Sequence, residues 1–107
     1  MALAYGVTRE DQDRWAVLSQ TRYQEAKRLG KFKDEIVPVR VQVGKEEVLF
    51  EEDEFPKPGT TMEKLQRLPT VYGSPTVTAG NAPGLNDGAS CMVLMSLAKA
   101  RELGVKP

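Results

Sequence analysis

The sequence contains no histidine and a single cysteine, Cys91. The first absence removes the commonest general base and the commonest metal ligand. Together they exclude the usual zinc sites and a Cys–His nucleophilic pair. One thiol forms no intrachain disulfide, so nothing points to an oxidising compartment. No unbroken apolar run is longer than Cys91–Met95, far short of the ~18 residues that span a bilayer. The opening MALAYGVTRE reaches arginine and an acid by its tenth residue, which reads against a signal peptide. Charge of neither sign is in excess: fifteen basic residues balance fifteen acidic ones, and the sequence pI is about 6.3. A domain that tracks a phosphate backbone carries a basic surplus, so neither nucleic acid nor a membrane is an expected partner. A soluble, cytoplasmic protein is the default expectation, with a mitochondrial or peroxisomal matrix as the alternative.

The 107 residues suffice for one compact domain and not for two. Thr8-x-x-Asp11 places a hydroxyl cap and an acid where a helix exposes its first N–H groups. Trp15, Leu18, Ala26 and Leu29 then recur at helical spacing, with Asp11, Asp13, Gln20 and Arg28 off that stripe, and Gly30 supplies the stop. Val39, Val41 and Val43 alternate with Arg40 and Gln42; Gly44-Lys45 offers a tight turn into Glu46–Phe50, and the pattern is a β-hairpin. Pro56-Lys57-Pro58-Gly59 belongs to neither helix nor central strand. Thr60 or Thr61 caps a short helix from Met62 to about Leu68, ended by Pro69. Val71-Tyr72 and Thr76–Ala79 read as extended, and Gly80–Gly88 is dense in turn formers. Ala89–Met95 suits a strand buried on both faces, and Ser96 caps a last helix that Gly104 ends. Such a strand needs neighbours, and few other strands are predicted. The pattern is α/β, a part of a larger sheet, and the chain by itself is not expected to fold as a fully cooperative domain.

The glycine-rich stretch lacks the G-x-x-x-x-G-K-[ST] and G-x-G-x-x-G fingerprints, so composition alone favours a tight connection over a phosphate cradle. Cys91 has apolar flanks and no basic neighbour to stabilise a thiolate, and is read as a buried structural residue. Lys57, Lys64 and Arg67 surround the short helix, and could either meet a phosphorylated ligand or remain solvated.

Longer motifs are more specific. Asp53-Glu54-x-Pro56-x-x-x-Thr60-Thr61-x-Glu63-x-Leu65 precedes the run Thr76-Val77-Thr78-Ala79-Gly80-Asn81-Ala82-Pro83-Gly84-Leu85-Asn86-Asp87-Gly88-Ala89. Ahead of both stand Thr8-Arg9-Glu10-x-Gln12-Asp13 and Gly30-Lys31-Phe32-x-x-Glu35-Ile36-x-Pro38-Val39, and Leu94-Met95-Ser96-x-x-Lys99-Ala100-x-Glu102-Leu103-Gly104 closes the chain. In this order and spacing the chain resembles, over nearly its whole length, the thiolases, the acetyl-CoA C-acyltransferases.

The resemblance implies a partial thiolase-like α/β fold, with residues to about 75 in the loop domain and about 76–107 returning into the N-terminal α/β domain. It implies that Val77–Ala79 and the glycine loop lie beside the pantetheine arm of coenzyme A, and that the helix around Thr61–Leu68 helps hold the nucleotide end. Lys57 stands where many members have an arginine near the adenosine phosphate. Lys64 stands where a serine is common beside the same moiety, and Leu65 at an apolar position against the adenine. Ala79 is placed close to pantetheine. Pro83 takes the place of a serine that commonly hydrogen-bonds this arm, which leaves that contact open. No catalytic residue is expected here, because the family's two reactive cysteines and its histidine motif have no counterpart in this sequence and Cys91 lies in the wrong motif. The resemblance therefore implies an acyltransferase segment that touches acyl-CoA as substrate, with no permanently bound cofactor, completed by the remainder of a thiolase or by a homo-oligomer partner. The alternatives are a non-catalytic oligomerisation or interaction piece and an inactive product.

Overall fold

The computed structural model describes residues 2–106, the side chain of residue 3 apart. After a 3-10 turn at Ala2–Tyr5 come helix α1 (Arg9–Arg28), strands β1 (Val39–Val43) and β2 (Glu46–Phe50), helix α2 (Met62–Gln66) and helix α3 (Leu97–Glu102).

Both ends of α1 follow from local chemistry. Asp11 N–H donates to Thr8 Oγ1 at 3.1 Å, and Thr8 N–H donates to Asp11 Oδ2 at 3.0 Å, a reciprocal pair that satisfies two orphan donors. At the other end Gly30 adopts φ 67°, so that Gly30 and Lys31 N–H can turn back onto the carbonyls of Lys27 and Ala26. The hairpin forms as its alternation dictates. Val39 pairs with Phe50 and Val41 with Val48, so apolar side chains face one another across the strands. Gly44, at φ 64°, supplies the left-handed residue that a two-residue turn needs. Thr61 caps α2 and Ser96 caps α3. Thr70 and Thr78 form an isolated antiparallel bridge, reinforced by Val71 N–H donating to the Val77 carbonyl at 2.8 Å.

The expected strand at Ala89–Met95 does not form, and Cys91 is exposed rather than buried. Met92, Val93 and Leu94 are 78%, 76% and 84% exposed. The cause is the missing neighbours: among the described residues the one sheet is the two-stranded hairpin, and a central strand has no stability without a ladder on each side. The stripe on α1 likewise finds no cover, with Trp15 66% exposed. Its polar side is the packed one, where Asp13, read from sequence as off the buried face, is 0% exposed.

Among the described residues only Leu65 and Ala100 are buried apolar side chains. The radius of gyration is 19.8 Å, against ~13 Å for a compact chain of this length. The accessible surface is 9462 Å², where a folded monomer of this mass exposes roughly 5,900 Å². Order is local, and besides the hairpin the helix pair α1–α2 is the principal contact between elements among the described residues.

Candidate functional site

Where α2 meets α1, the chain forms an open-sided cavity of about 230 Å³. Gln20 reaches it from α1, and the proline-rich loop contributes Phe55, Lys57 and Thr60. Leu65 and Leu68 come from α2 and the residues after it, and Ala79 and Gly80 from the glycine loop. Pro56 and Pro58 keep the loop out of regular structure, and Gln20 fixes it: Lys57 N–H donates to Gln20 Oε1 at 2.8 Å. Thr60 Oγ1 donates to the Lys57 carbonyl at 2.8 Å and closes the loop on itself.

Glycine is required at 80 by space rather than by torsion. A Cβ there would overlap Cδ2 of Leu65 and stand 2.7 Å from Cδ1 of Leu68, inside contact distance. The same holds at Gly84, where a Cβ would meet the Phe55 ring at 2.6 Å. Two glycines thus let the loop lie directly against the apolar residues of the cavity.

Of the five residues expected at a coenzyme A site, Lys57, Leu65 and Ala79 converge on this cavity. Lys64 and Pro83 do not line it. The Lys64 ammonium donates to the Gly59 carbonyl at 2.6 Å, and Pro83 is exposed. Lys57 is freer, its ammonium making only a 3.4 Å contact with the Glu54 carbonyl. Gln20 and Phe55 carry no local signal of a site in the sequence; Thr60 reads there as one of two candidate helix caps, and Leu68 as the end of the helix Thr61–Leu68 beside the nucleotide.

Behind the cavity lies a buried polar network. Arg9 Nε donates to Asp13 Oδ2 at 2.7 Å, and Arg9 Nη2 donates to the carbonyls of Leu65 at 2.7 Å and Leu68 at 3.2 Å. A guanidinium there adds a second donor to the Leu65 carbonyl, which already accepts Leu68 N–H, and opposes the negative pole at the end of α2. Asp13 Oδ1 accepts from Asn81 Nδ2 at 2.8 Å. Asn81 in turn accepts from Thr78 N–H at 2.8 Å and donates to the Thr76 carbonyl at 3.1 Å. Among the described residues no buried side-chain polar atom lacks a partner.

A larger hollow of about 370 Å³ lies at the far end of α1, beside Tyr23, Lys27, Phe32 and Glu52. Its rings stack at 5.2 Å; Lys27 Nζ bonds Glu52 at 2.9 Å and the Tyr23 hydroxyl donates to Asp53 at 3.1 Å. Desolvation, and then the bond to Asp53, push the Tyr23 phenol above its ordinary value. This end staples α1 to the residues after β2 and receives none of the expected site residues. No group of acidic, cysteine or histidine side chains among the described residues could hold a metal ion, and no helix there is long and apolar enough to cross a membrane.

Residues 1–98 match the family described as thiolase, N-terminal domain. The chain belongs to the thiolase family. Curated thiolase relatives include the acetyl-CoA acetyltransferases of Allochromatium vinosum, 47% identical over 100% of this chain, and of Cupriavidus necator, 49% identical over 100%. The chain spans 28% of the length of each. In three dimensions it superposes on the Bacillus anthracis acetyl-CoA acetyltransferase with a TM-score of 0.86 at 44% identity, covering 99% of this chain and 27% of that one. Human mitochondrial 3-ketoacyl-CoA thiolase gives 0.71 at 41% identity over 78% of this chain and 22% of that one. The helices and hairpin described above are therefore part of a thiolase-like α/β fold.

Proposed function

We propose that this thiolase segment supplies part of the coenzyme A-binding wall of an acyltransferase that cleaves or condenses acyl-CoA, with the reacting groups supplied by other polypeptide. The observation that carries the reading is the convergence of Lys57, Leu65 and Ala79 on one cavity, three positions on a loop, a helix and a second loop that the family motifs assign to one ligand. Its likeness to acetyl-CoA acetyltransferases and to a 3-ketoacyl-CoA thiolase supports it.

The chemistry of the cavity suits that ligand. About 230 Å³ is smaller than the ~300–1,000 Å³ of sites that enclose a whole drug-sized molecule, so it takes one section of coenzyme A and leaves the rest outside. Leu65 and Leu68 offer apolar contact, and the small Ala79 and Gly80 allow a narrow chain to approach the backbone. Lys57 brings positive charge to a phosphate, without the planar fork of arginine. In this reading Pro83 lies outside the contact, and Lys64 reaches the nucleotide only by leaving Gly59. Residues to about 75 form the loop-domain part, and the remainder returns toward the α/β core.

Acyl transfer and Claisen condensation need a nucleophile, a base for the enolate and donors facing the oxyanion. A chain without histidine, whose one cysteine lies outside the cavity, offers no such set, and binding that is equal in ground and transition states does not speed the chemical step. The test is acetoacetyl-CoA cleavage, followed by loss of the enolate absorbance, with the chain alone and co-expressed with the polypeptide carrying the family's cysteine and histidine motifs. No turnover alone and measurable turnover in combination are expected. Turnover by the chain alone, above a heat-treated control, contradicts the reading. Failure of every combination favours instead a non-catalytic interaction piece, the role to which the exposed run Met92–Leu94 points.

A further inference from the structure

One wall of the cavity is bonded to α1 through Arg9 and the other through Asp13, and the two side chains bond each other. Leu65 and Leu68 belong to one wall, and their carbonyl oxygens accept the Arg9 guanidinium. Ala79 and Gly80 belong to the other; Asn81 bonds Thr78 N–H and the Thr76 carbonyl, and Thr78 Oγ1 accepts from Gly80 N–H at 3.2 Å. Asp13 joins the two, receiving Arg9 on Oδ2 and Asn81 on Oδ1. Asp13 and Thr78 are both 0% exposed. None of the three side chains lines the cavity.

We propose that Asp13, acting through Arg9 and Asn81, is a positioning residue that sets the separation of the α2 wall and the glycine-loop wall, and with it the fit of the coenzyme A arm. The affinity part of this inference rests on the proposed coenzyme A site; the mechanical part does not. Only a carboxylate meets the requirement, since it accepts on both oxygens, whereas an asparagine at the same place would turn a donor toward either Arg9 or Asn81, themselves donors. Arginine is equally specific. Its fork spends Nε on Asp13 and Nη2 on two carbonyls at once, while lysine offers one ammonium that can neutralise Asp13 without holding α2.

The fork makes the role separable from bulk stability. Arg9→Lys keeps the charge beside Asp13, so helix content is expected to stay close to that of the unaltered chain, while coenzyme A affinity falls roughly tenfold, the loss that accompanies charge-assisted bonds to a carbonyl. Hydrogen exchange of ligand-free chains, read by mass spectrometry on peptides across residues 76–82, is expected to quicken in Asp13→Asn and to stay unchanged in Arg14→Lys, an exposed pair with Glu10. An affinity that falls only in step with helix content would overturn the positioning role and leave a structural one. Unchanged exchange at 76–82 in Asp13→Asn would overturn the coupling of the walls outright. Quickened exchange in a chain that shows no coenzyme A binding even unaltered would sink the proposed function and the affinity claim, and leave the coupling standing.

Discussion

Arg9 Nη2 donates to the carbonyl oxygen of Leu65 at 2.7 Å, across 56 residues of sequence. This bond, with the Asp13 contact on the same guanidinium, ties the first turn of α1 to the end of α2. Removing the guanidinium leaves a fully buried carboxylate without its cation, a change that costs about 3–5 kcal/mol in buried pairs; Arg9 is a quarter exposed, and solvent reaching it brings the expected cost of Arg9→Ala to the lower end, about 3 kcal/mol. Far-UV helical ellipticity of the chain in buffer is expected to fall. Ellipticity within error of the unaltered chain would show that the network carries no stability.

Gly80→Ala tests the closeness of the loop to the cavity. Its added methyl meets the terminal methyls of Leu65 and Leu68, which can shift only into the cavity they line. Overpacking of this kind costs about 1–3 kcal/mol. Coenzyme A titration should weaken, while Gly88→Ala, where a Cβ meets nothing within 4 Å, should leave binding as it was. Equal effects of the two substitutions would separate the loop from the site.

The helix caps make a pH prediction. Asp11 is held below its ordinary value by the bonds from the Thr8 side chain and backbone. Glu63 is held low by its own backbone N–H and then by the Thr61 hydroxyl. A carboxyl whose pKa is lowered on folding stabilises the folded state above its unfolded value, and that contribution disappears as pH falls through the folded one. Helical ellipticity is therefore expected to be level from pH 7 to 5 and to decline below about pH 4. Thr8→Ala should flatten the decline, and an identical acid profile in that variant would rule the cap out as its source.

How far these features were legible from residues alone depended on whether they were local. Thr8, Thr61 and Ser96 each cap the helix that follows, and Val39–Phe50 alternates into the hairpin observed. These signals act over a few positions, and nothing distant overrides them. Asp13 misled because an acid on a helix is usually solvated; its burial depends on Arg9 and on Asn81, 68 residues away. Gln20 and Phe55 carried no local mark of a site. Ala89–Met95 has the composition of a central strand but no ladder to join, so a reading that was sound about composition failed on context. Lys57, Leu65 and Ala79 came from motif resemblance, and no spacing rule would have brought them together.

Exposed Cys91 gives a direct probe of that missing context. The native chain alone is expected to be labelled by a maleimide at the rate of an unfolded control. Mixed with the complementary thiolase polypeptide, the apolar run 91–95 should be covered and labelling should slow at least tenfold, in line with burial of a thiol that is reactive only when accessible. Slow labelling of the chain by itself would mean that this run is already packed.

Isothermal titration of this chain with coenzyme A decides whether it carries coenzyme A contacts. Weak, saturable binding that fades as salt rises is expected, because the exposed charge of Lys57 is screened over ~8 Å at physiological ionic strength. A larger loss is expected in Lys57→Ala than in Lys64→Ala, since Lys57 lines the cavity and Lys64 is engaged by the Gly59 carbonyl, and the signal should disappear in the double variant. No saturable heat from the unaltered chain, or binding that survives in the double variant, would contradict the coenzyme A reading.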